Sequence, residues 1–338
     1  MKKIRFGIIG CGGIARRRTI NGLLMAESAV CEAIMDTNRE SLDATGDQYG
    51  IAKRYLDVDS LLADKDVDAV YIATPVFCHK EQVFKAADAG KHILLEKPMG
   101  LTSADGEEMD AYCKARGVLL GVGFMMRFHA VHVEIKKLID SGKIGTVVSA
   151  YAKFNCESPV SPIKWRQTKA FSAGGTMMDM GIHCIDLLTY LTGLKVTEVT
   201  GICGNQIFKY PDTEDAGTGI FKMDNGALFT VEANFNLSDE LGGCRFEIYG
   251  TDGTIVAERT IGQLEVGEVK YILRSELERG WQTLPYEAGH MYTKETELFA
   301  RAILDGTQAP VPALEAVTDQ KVVEAVYESY ESKKHIKM

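Results

Sequence analysis

The sequence predicts an α/β protein in two parts. A doubly wound parallel sheet comes first, followed by an α+β domain on an open, mainly antiparallel sheet. Three observations carry this. Short β-branched apolar runs alternate with helical patterns over the first third. Strand patterns then follow one another beyond about residue 124, separated by turn residues. A glycine-rich turn joins the first strand to the first helix. The length of 338 residues fits two domains of about 150 residues each.

In the first part the expected strands are 4–9, 30–35, 69–73, 92–95 and 119–122, with helical spacing over 81–89 and 104–115. Their near-continuous apolarity fits strands covered on both faces. Strand–helix alternation implies right-handed crossovers and a parallel sheet. In the second part helices are expected over 130–140, closed by Ser141-Gly142, and over 177–191, stopped by Thr192-Gly193. Strands follow at 196–203, 217–223, 228–235, 245–249, 254–257 and 269–273. Asp224-Asn225-Gly226 and Thr251-Asp252-Gly253 supply hairpin turn chemistry. Helices 293–304 and 314–332 close the chain on either side of Pro310 and Pro312.

Composition narrows the function classes. With 46% hydrophobic and 25% charged residues, the chain can bury a core without staples, which excludes disorder and small disulfide scaffolds. Lys and Arg total 38 against 47 Asp and Glu, a net charge of −9 that argues against nucleic acid as a partner. None of the eight cysteines forms a C-x-x-C pair, so reduced thiols, a cytoplasmic location and no metal centre are expected. The apolar run after Lys2, Lys3 and Arg5 is too short for a signal peptide, and no segment approaches the roughly 18 apolar residues of a membrane span.

Gly10-Cys11-Gly12-Gly13-Ile14-Ala15 follows the first strand and opens a helix as G-x-G-x-x-A. The first glycine makes the turn, the second lets a pyrophosphate approach, and the helix N-terminus favours its charge. Asp36 ends the second strand, where a carboxylate holds the ribose hydroxyls of NAD and disfavours the 2′-phosphate of NADP. Arg39 and Arg16–Arg18 are placed to offset that repulsion, so NADP remains possible. Residues 1–124 are thus a dinucleotide-binding Rossmann domain, and 125–338 a domain for substrate binding and oligomerisation, whose closing helix can pack back on the first.

Ligands in doubly wound sheets lie beyond the carboxyl ends of the strands. Ala73-Thr74-Pro75 with His79, and Glu96-Lys97-Pro98, sit at two such ends. A lysine emerging from Leu94-Leu95 is suited to proton donation. Asp179, His183 and Asp186 are spaced i, i+4, i+7, which places them on one helical face. A histidine flanked by carboxylates suits acid–base work, metal binding, or a plain hydrogen-bond ladder. Asp215, Asn234 and Asn236 read equally as hydroxyl-reading groups or as ordinary strand residues.

Together G-x-G-x-x-A, A-T-P with its following histidine, E-K-P and D-x-G-x-H resemble the Gfo/Idh/MocA oxidoreductases along the whole chain. The resemblance implies that Gly10, Gly12, Gly13 and Ile14 hold the pyrophosphate of NAD and Asp36 its ribose. Thr74, Pro75, His79, Glu96 and Lys97 would then surround the nicotinamide half. Lys97, Asp179 and His183 would form the catalytic group. Trp165-Arg166 resembles a pair that reaches cofactor or substrate. Arg127 and Tyr292 would reach substrate, with His290 and Tyr292 at the pocket rim. The family segment around Phe124–Phe128 usually carries two arginines, whereas the first here is Met126. The implied activity is hydride transfer between nicotinamide and a hydroxyl or carbonyl carbon of a sugar or cyclitol such as inositol. A glycosidase or lyase that cycles NAD, and a ligand-sensing regulator, are the alternatives. An open sheet must be covered, and the resemblance implies a homodimer or homotetramer through the C-terminal sheet.

Overall fold

A computed structural model describes residues 2–161 and 165–338. The apolar runs of the first part form β1 (Ile4–Ile9), β2 (Ala29–Met35), β4 (Ala69–Ile72), β5 (His92–Glu96) and β6 (Leu120–Gly123). A short polar strand, β3 (Lys53–Tyr55), adds an edge, giving the order β3-β2-β1-β4-β5-β6. All pairings are parallel. Phe6, Ile8 and Ile9 of the central strand are fully buried, as near-continuous apolarity requires of a strand covered on both faces. Helix Arg39–Tyr49, absent from the sequence expectation, has a weak apolar stripe and is started by Asn38, whose side chain accepts the Ser41 N–H.

The second sheet has nine strands. They are β7 (Val147–Asn155), β8 (Val196–Gly204), β9 (Ala216–Met223), β10 (Leu228–Asn234), β11 (Arg245–Gly250), β12 (Gly253–Glu258), β13 (Glu268–Leu273), β14 (Gln282–Thr283) and β15 (Ile336–Lys337). The order is β14-β13-β12-β11-β7-β10-β9-β8-β15. Its pairings are antiparallel except β7 with β10, which makes the sheet mixed. β7 escapes a turn-based reading because its far end runs into an irregular segment instead of a hairpin. One face is buried through Phe229, Val231 and Ala233, while Ile202, Ile220 and Leu228 stand exposed on the other.

Two compact units result: Met1–Met125 with His290–Thr318, and Met126–Gly289 with Asp319–Met338. The chain leaves the first unit after Met125 and returns to it with helix Met291–Asp305. The return depends on Gly22, where a Cβ would come within 2.8 Å of the Tyr292 backbone. Helix Ala313–Ser332 begins in the first unit and continues into the second. All eight cysteines are free thiols, and no helix among the described residues is long and apolar enough to cross a membrane.

Candidate active site

In the first unit β1 runs into the glycine turn. Gly10 adopts φ +87°, and a Cβ there would lie 3.0–3.1 Å from Thr74 and the Ala73 carbonyl. Gly13 adopts φ +42° with nothing within 4 Å of a would-be Cβ. The turn then enters a π-helical segment, Ala15–Thr19, that continues as helix Ile20–Met25, with Ile14 already helical in backbone. Asp36 follows β2; its carboxylate accepts the Asn38 N–H at 2.9 Å and lies 3.8 Å from the Cys11 thiol. Burial, then the neighbouring Asp36, pushes that thiol up to about 11. An open glycine backbone at a helix start with a carboxylate at the next strand end fits a dinucleotide: N–H groups for the pyrophosphate, Asp36 for ribose hydroxyls. Arg39 is exposed and pairs loosely with Asp43 at 3.9 Å.

The ends of β4 and β5 are tied together by His79. The ring is 1% exposed; Nδ1 lies 3.1 Å from the Pro98 and Met99 carbonyls, and Nε2 lies 3.0 Å from the Thr74 carbonyl. Burial pushes the imidazole below its ordinary value, with those carbonyls partly opposing. His79 thus anchors the segment after Lys97 to Thr74-Pro75, and both ring nitrogens are committed to backbone. Thr74 Oγ1 donates to Gln82. Glu96 accepts from the Tyr71 hydroxyl and, at 3.3 Å, from the Lys97 N–H. Tyr71 and the neighbouring Glu295 are missed by motif reading; Glu295 is 2% exposed, and burial followed by the charge of Glu96 pushes its carboxyl well above the usual range. Tyr292, which the resemblance places at the pocket rim, is buried. It is 2% exposed inside the first unit, between Glu96 and Glu295 in charge environment, because helix Met291–Asp305 docks there. His290 starts that helix by accepting the Thr293 N–H.

In the second unit the D-x-G-x-H segment is a π-helical stretch, Met177–Gly181, running into helix Ile182–Thr192. His183 is 4% exposed and its ring lies 6.1 Å from that of Phe154. Arg166 approaches Asp179 at 3.9 Å and lies 4.2 Å over the Trp165 ring, so the structure gathers Trp165, Arg166 and Asp179. Asp186 points elsewhere: it is fully buried and receives Arg127 Nε at 2.9 Å and Nη2 at 2.6 Å. Arg127 is itself 5% exposed and lies over the Tyr190 ring at 4.8 Å. A guanidinium so committed anchors residue 127 to the helix, and a substrate would have to displace a buried ion pair to reach it. Asp215 is equally committed, accepting the Gln206, Ile207 and Phe208 N–H groups at 2.7, 2.9 and 2.6 Å. Asn234 donates to Asn155, and Asn236 to Gln206. Among the described residues no group of three or more His, Cys, Asp or Glu side chains is placed to hold a metal ion.

Comparison with known proteins agrees with this layout. Residues 4–124 match a family described as an oxidoreductase family with an NAD-binding Rossmann fold, and residues 132–256 match the GFO/IDH/MocA C-terminal domain. The chain is similar to 1,5-anhydro-D-fructose reductase of Ensifer adhaerens, 30% identical over 299 residues and 88% of each chain. It is also similar to scyllo-inositol 2-dehydrogenase (NAD(+)) of Bacillus subtilis, 29% identical over 97% of this chain and 94% of the relative. Among solved structures, aldose-aldose oxidoreductase from Caulobacter crescentus, complexed with glycerol, superimposes with a TM-score of 0.92 at 26% identity over the full length of both chains. The chain belongs to the Gfo/Idh/MocA family and is an NAD(P)-dependent oxidoreductase.

Proposed function

We propose that the protein is a cytoplasmic dehydrogenase or reductase of a sugar, sugar derivative or cyclitol, with NAD preferred over NADP. The observation that carries this is the helix that presents Asp179 and the buried His183, with Arg166 beside Asp179. A sugar hydroxyl needs a base to take its proton, and a buried imidazole one turn from a carboxylate suits that task. Gly10, Gly12, Gly13 and Ile14 would hold the pyrophosphate and Asp36 the ribose. Bound there, the nicotinamide supplies a hydride acceptor or donor at its C4.

The chain's own residues handle the proton. His183 accepts it from the reacting hydroxyl in oxidation and returns it in reduction. Asp179 orients the imidazole and supports its charged form. Lys97 donates a hydrogen bond to the reacting oxygen, favouring the negative charge that develops on it. The relatives' substrates, an anhydro-sugar, an inositol and an aldose, support the polyhydroxylated class. The exposed Ile202, Ile220 and Leu228 support assembly into a homodimer or homotetramer through the second sheet.

The test is reduced-nicotinamide absorbance across inositols, aldoses, deoxy-sugars and sugar acids with each cofactor. A substrate-dependent signal is expected, with Lys97→Met and His183→Ala each lowering turnover by about 10²–10⁴-fold while NAD still binds. Wild-type turnover in both variants would overturn the role assignments. Deuterium uptake from solvent into product without net NADH would overturn net oxidoreduction in favour of redox cycling.

A further inference from the structure

The helix carrying Asp179 and His183 begins with N–H groups that no preceding helical turn can satisfy. The chain meets four in succession from two distant residues of the same unit. Gly175 N–H donates to Glu214 Oε2 at 3.0 Å and Met177 N–H to Glu214 Oε1 at 2.9 Å. Thr176 N–H donates to the Glu214 carbonyl at 3.2 Å, and Met178 N–H to the Tyr327 hydroxyl at 3.2 Å. Tyr327 in turn donates to Glu214 Oε1 at 2.7 Å. Only then does the helix supply its own acceptor, the Gly175 carbonyl for the Asp179 N–H at 3.0 Å.

The approach is close enough to dictate sequence. A Cβ on Gly174 would lie 2.3 Å from the Tyr327 hydroxyl, and one on Gly175 would lie 2.2 Å from the Glu214 carbonyl oxygen. Glu214 is 8% exposed, and the adjacent Asp215 holds the preceding loop through three N–H groups, so the cap has a fixed base. A carboxylate at this end also complements the positive pole of the helix. The Tyr327 hydroxyl, pushed well above its ordinary range by burial and by Glu214, remains a donor.

We infer that Glu214 and Tyr327 are positioning residues for the reaction, fixing the first turn of the catalytic helix and so the placement of Asp179 relative to His183. This rests on the roles proposed above for Asp179 and His183. The test uses the full-length protein with Glu214→Ala, Glu214→Gln, Tyr327→Phe and, as a reference, Asp179→Asn. In Glu214→Ala, amide exchange over residues 174–183 should accelerate, and kcat should fall by about 10²-fold, as displacement of reacting groups does. Cofactor affinity should stay within about twofold, because the variant leaves the glycine turn untouched. The pH profile of kcat should move toward that of Asp179→Asn, which a loss of general stability would not produce. Glu214→Gln and Tyr327→Phe should show the same pattern more weakly, and Tyr327→Phe keeps the test open if Glu214→Ala does not fold. Unchanged exchange in these variants overturns the cap. Accelerated exchange with unchanged kcat and pH profile overturns the positioning role. A wild-type protein inert toward every sugar and polyol overturns the functional reading alone, and the exchange measurement still decides the cap.

Discussion

Each unit opens a functional helix on a glycine run followed by a π-helical segment, and the two openings are built to opposite ends. At Gly13 the backbone is left bare: a Cβ there meets nothing within 4 Å. At Gly174-Gly175 the space is already taken by Glu214 and Tyr327, at 2.3 Å and less. Both exploit the same physics, since N–H groups at a helix start attract an anion. On the function proposed above, the first leaves the place for a phosphate from outside. The second fills it with the chain's own carboxylate and thereby fixes the helix. On the same reading, Gly13 is there for a ligand, and Gly175 for a protein oxygen.

Alanine at the two positions separates these roles. Gly175→Ala drives a methyl into Glu214, and overpacking of that kind costs about 1–3 kcal/mol. Urea melts should show that loss, with turnover down by about 10²-fold as the helix start shifts and cofactor affinity held. Gly13→Ala should show the reverse. Its positive φ costs about 1–2 kcal/mol in strain, and the methyl enters the space left for phosphate. Cofactor affinity, followed by NADH fluorescence, should fall by about tenfold or more, equivalent to ~1.4 kcal/mol. Equal loss of cofactor binding in both variants would break the distinction.

A smaller effect is expected at Asp36. Its carboxylate has local partners in Asn38 and Cys11, none of which requires a full charge. Asp36→Ser should therefore leave the melting midpoint nearly unchanged, weaken NAD by about tenfold and narrow the gap to NADP. Unchanged discrimination between the two cofactors would show that the first opening reads only the pyrophosphate.

The contrast also explains what the sequence could and could not disclose. Strands β1, β2, β4, β5 and β6 are legible because burial on both faces forces near-continuous apolar runs. β3 is not, being three polar residues at an edge, and β7 is not, because no hairpin marks its far end. The glycine turn, Lys97 and the Asp179–His183 pair stand out in the sequence because their spacing is local. Glu214, Tyr327, Tyr71 and Glu295 carry no such signal, since each lies beside residues far away in sequence. Glu214 and Met177 are 37 positions apart, and Tyr327 and Met178 are 149 apart. Arg127 and Tyr292 are the residues that the family resemblance directs toward substrate. The fold pairs the first with Asp186 and buries the second, arrangements that carry no local sequence signal. The signal available in retrospect is Gly174-Gly175 itself, a pair in the bend before the helix where neither glycine adopts a positive φ.

Buried carboxyls extend the comparison to pH. Glu214 is surrounded by donors, whereas neither oxygen of Glu295 has a hydrogen-bond partner among the described residues, and Glu96 lies nearby. Burial raises both carboxyls, Glu295 well above its ordinary value of 4.5 and Glu214 less so. The folded state thus holds the Glu295 proton more tightly than the unfolded chain does. Its contribution to stability is complete below the unfolded carboxyl value and is lost progressively as pH rises toward the folded one. Glu295→Gln keeps the shape and removes the titration. Stability measured by urea melts from pH 5 to 8 should then fall less steeply than in the wild type, by up to about 1.4 kcal/mol per pH unit. The same slope in both proteins would mean that Glu295 is ionised when folded. An anion would then sit in the first unit without the donors that the second unit provides for Glu214.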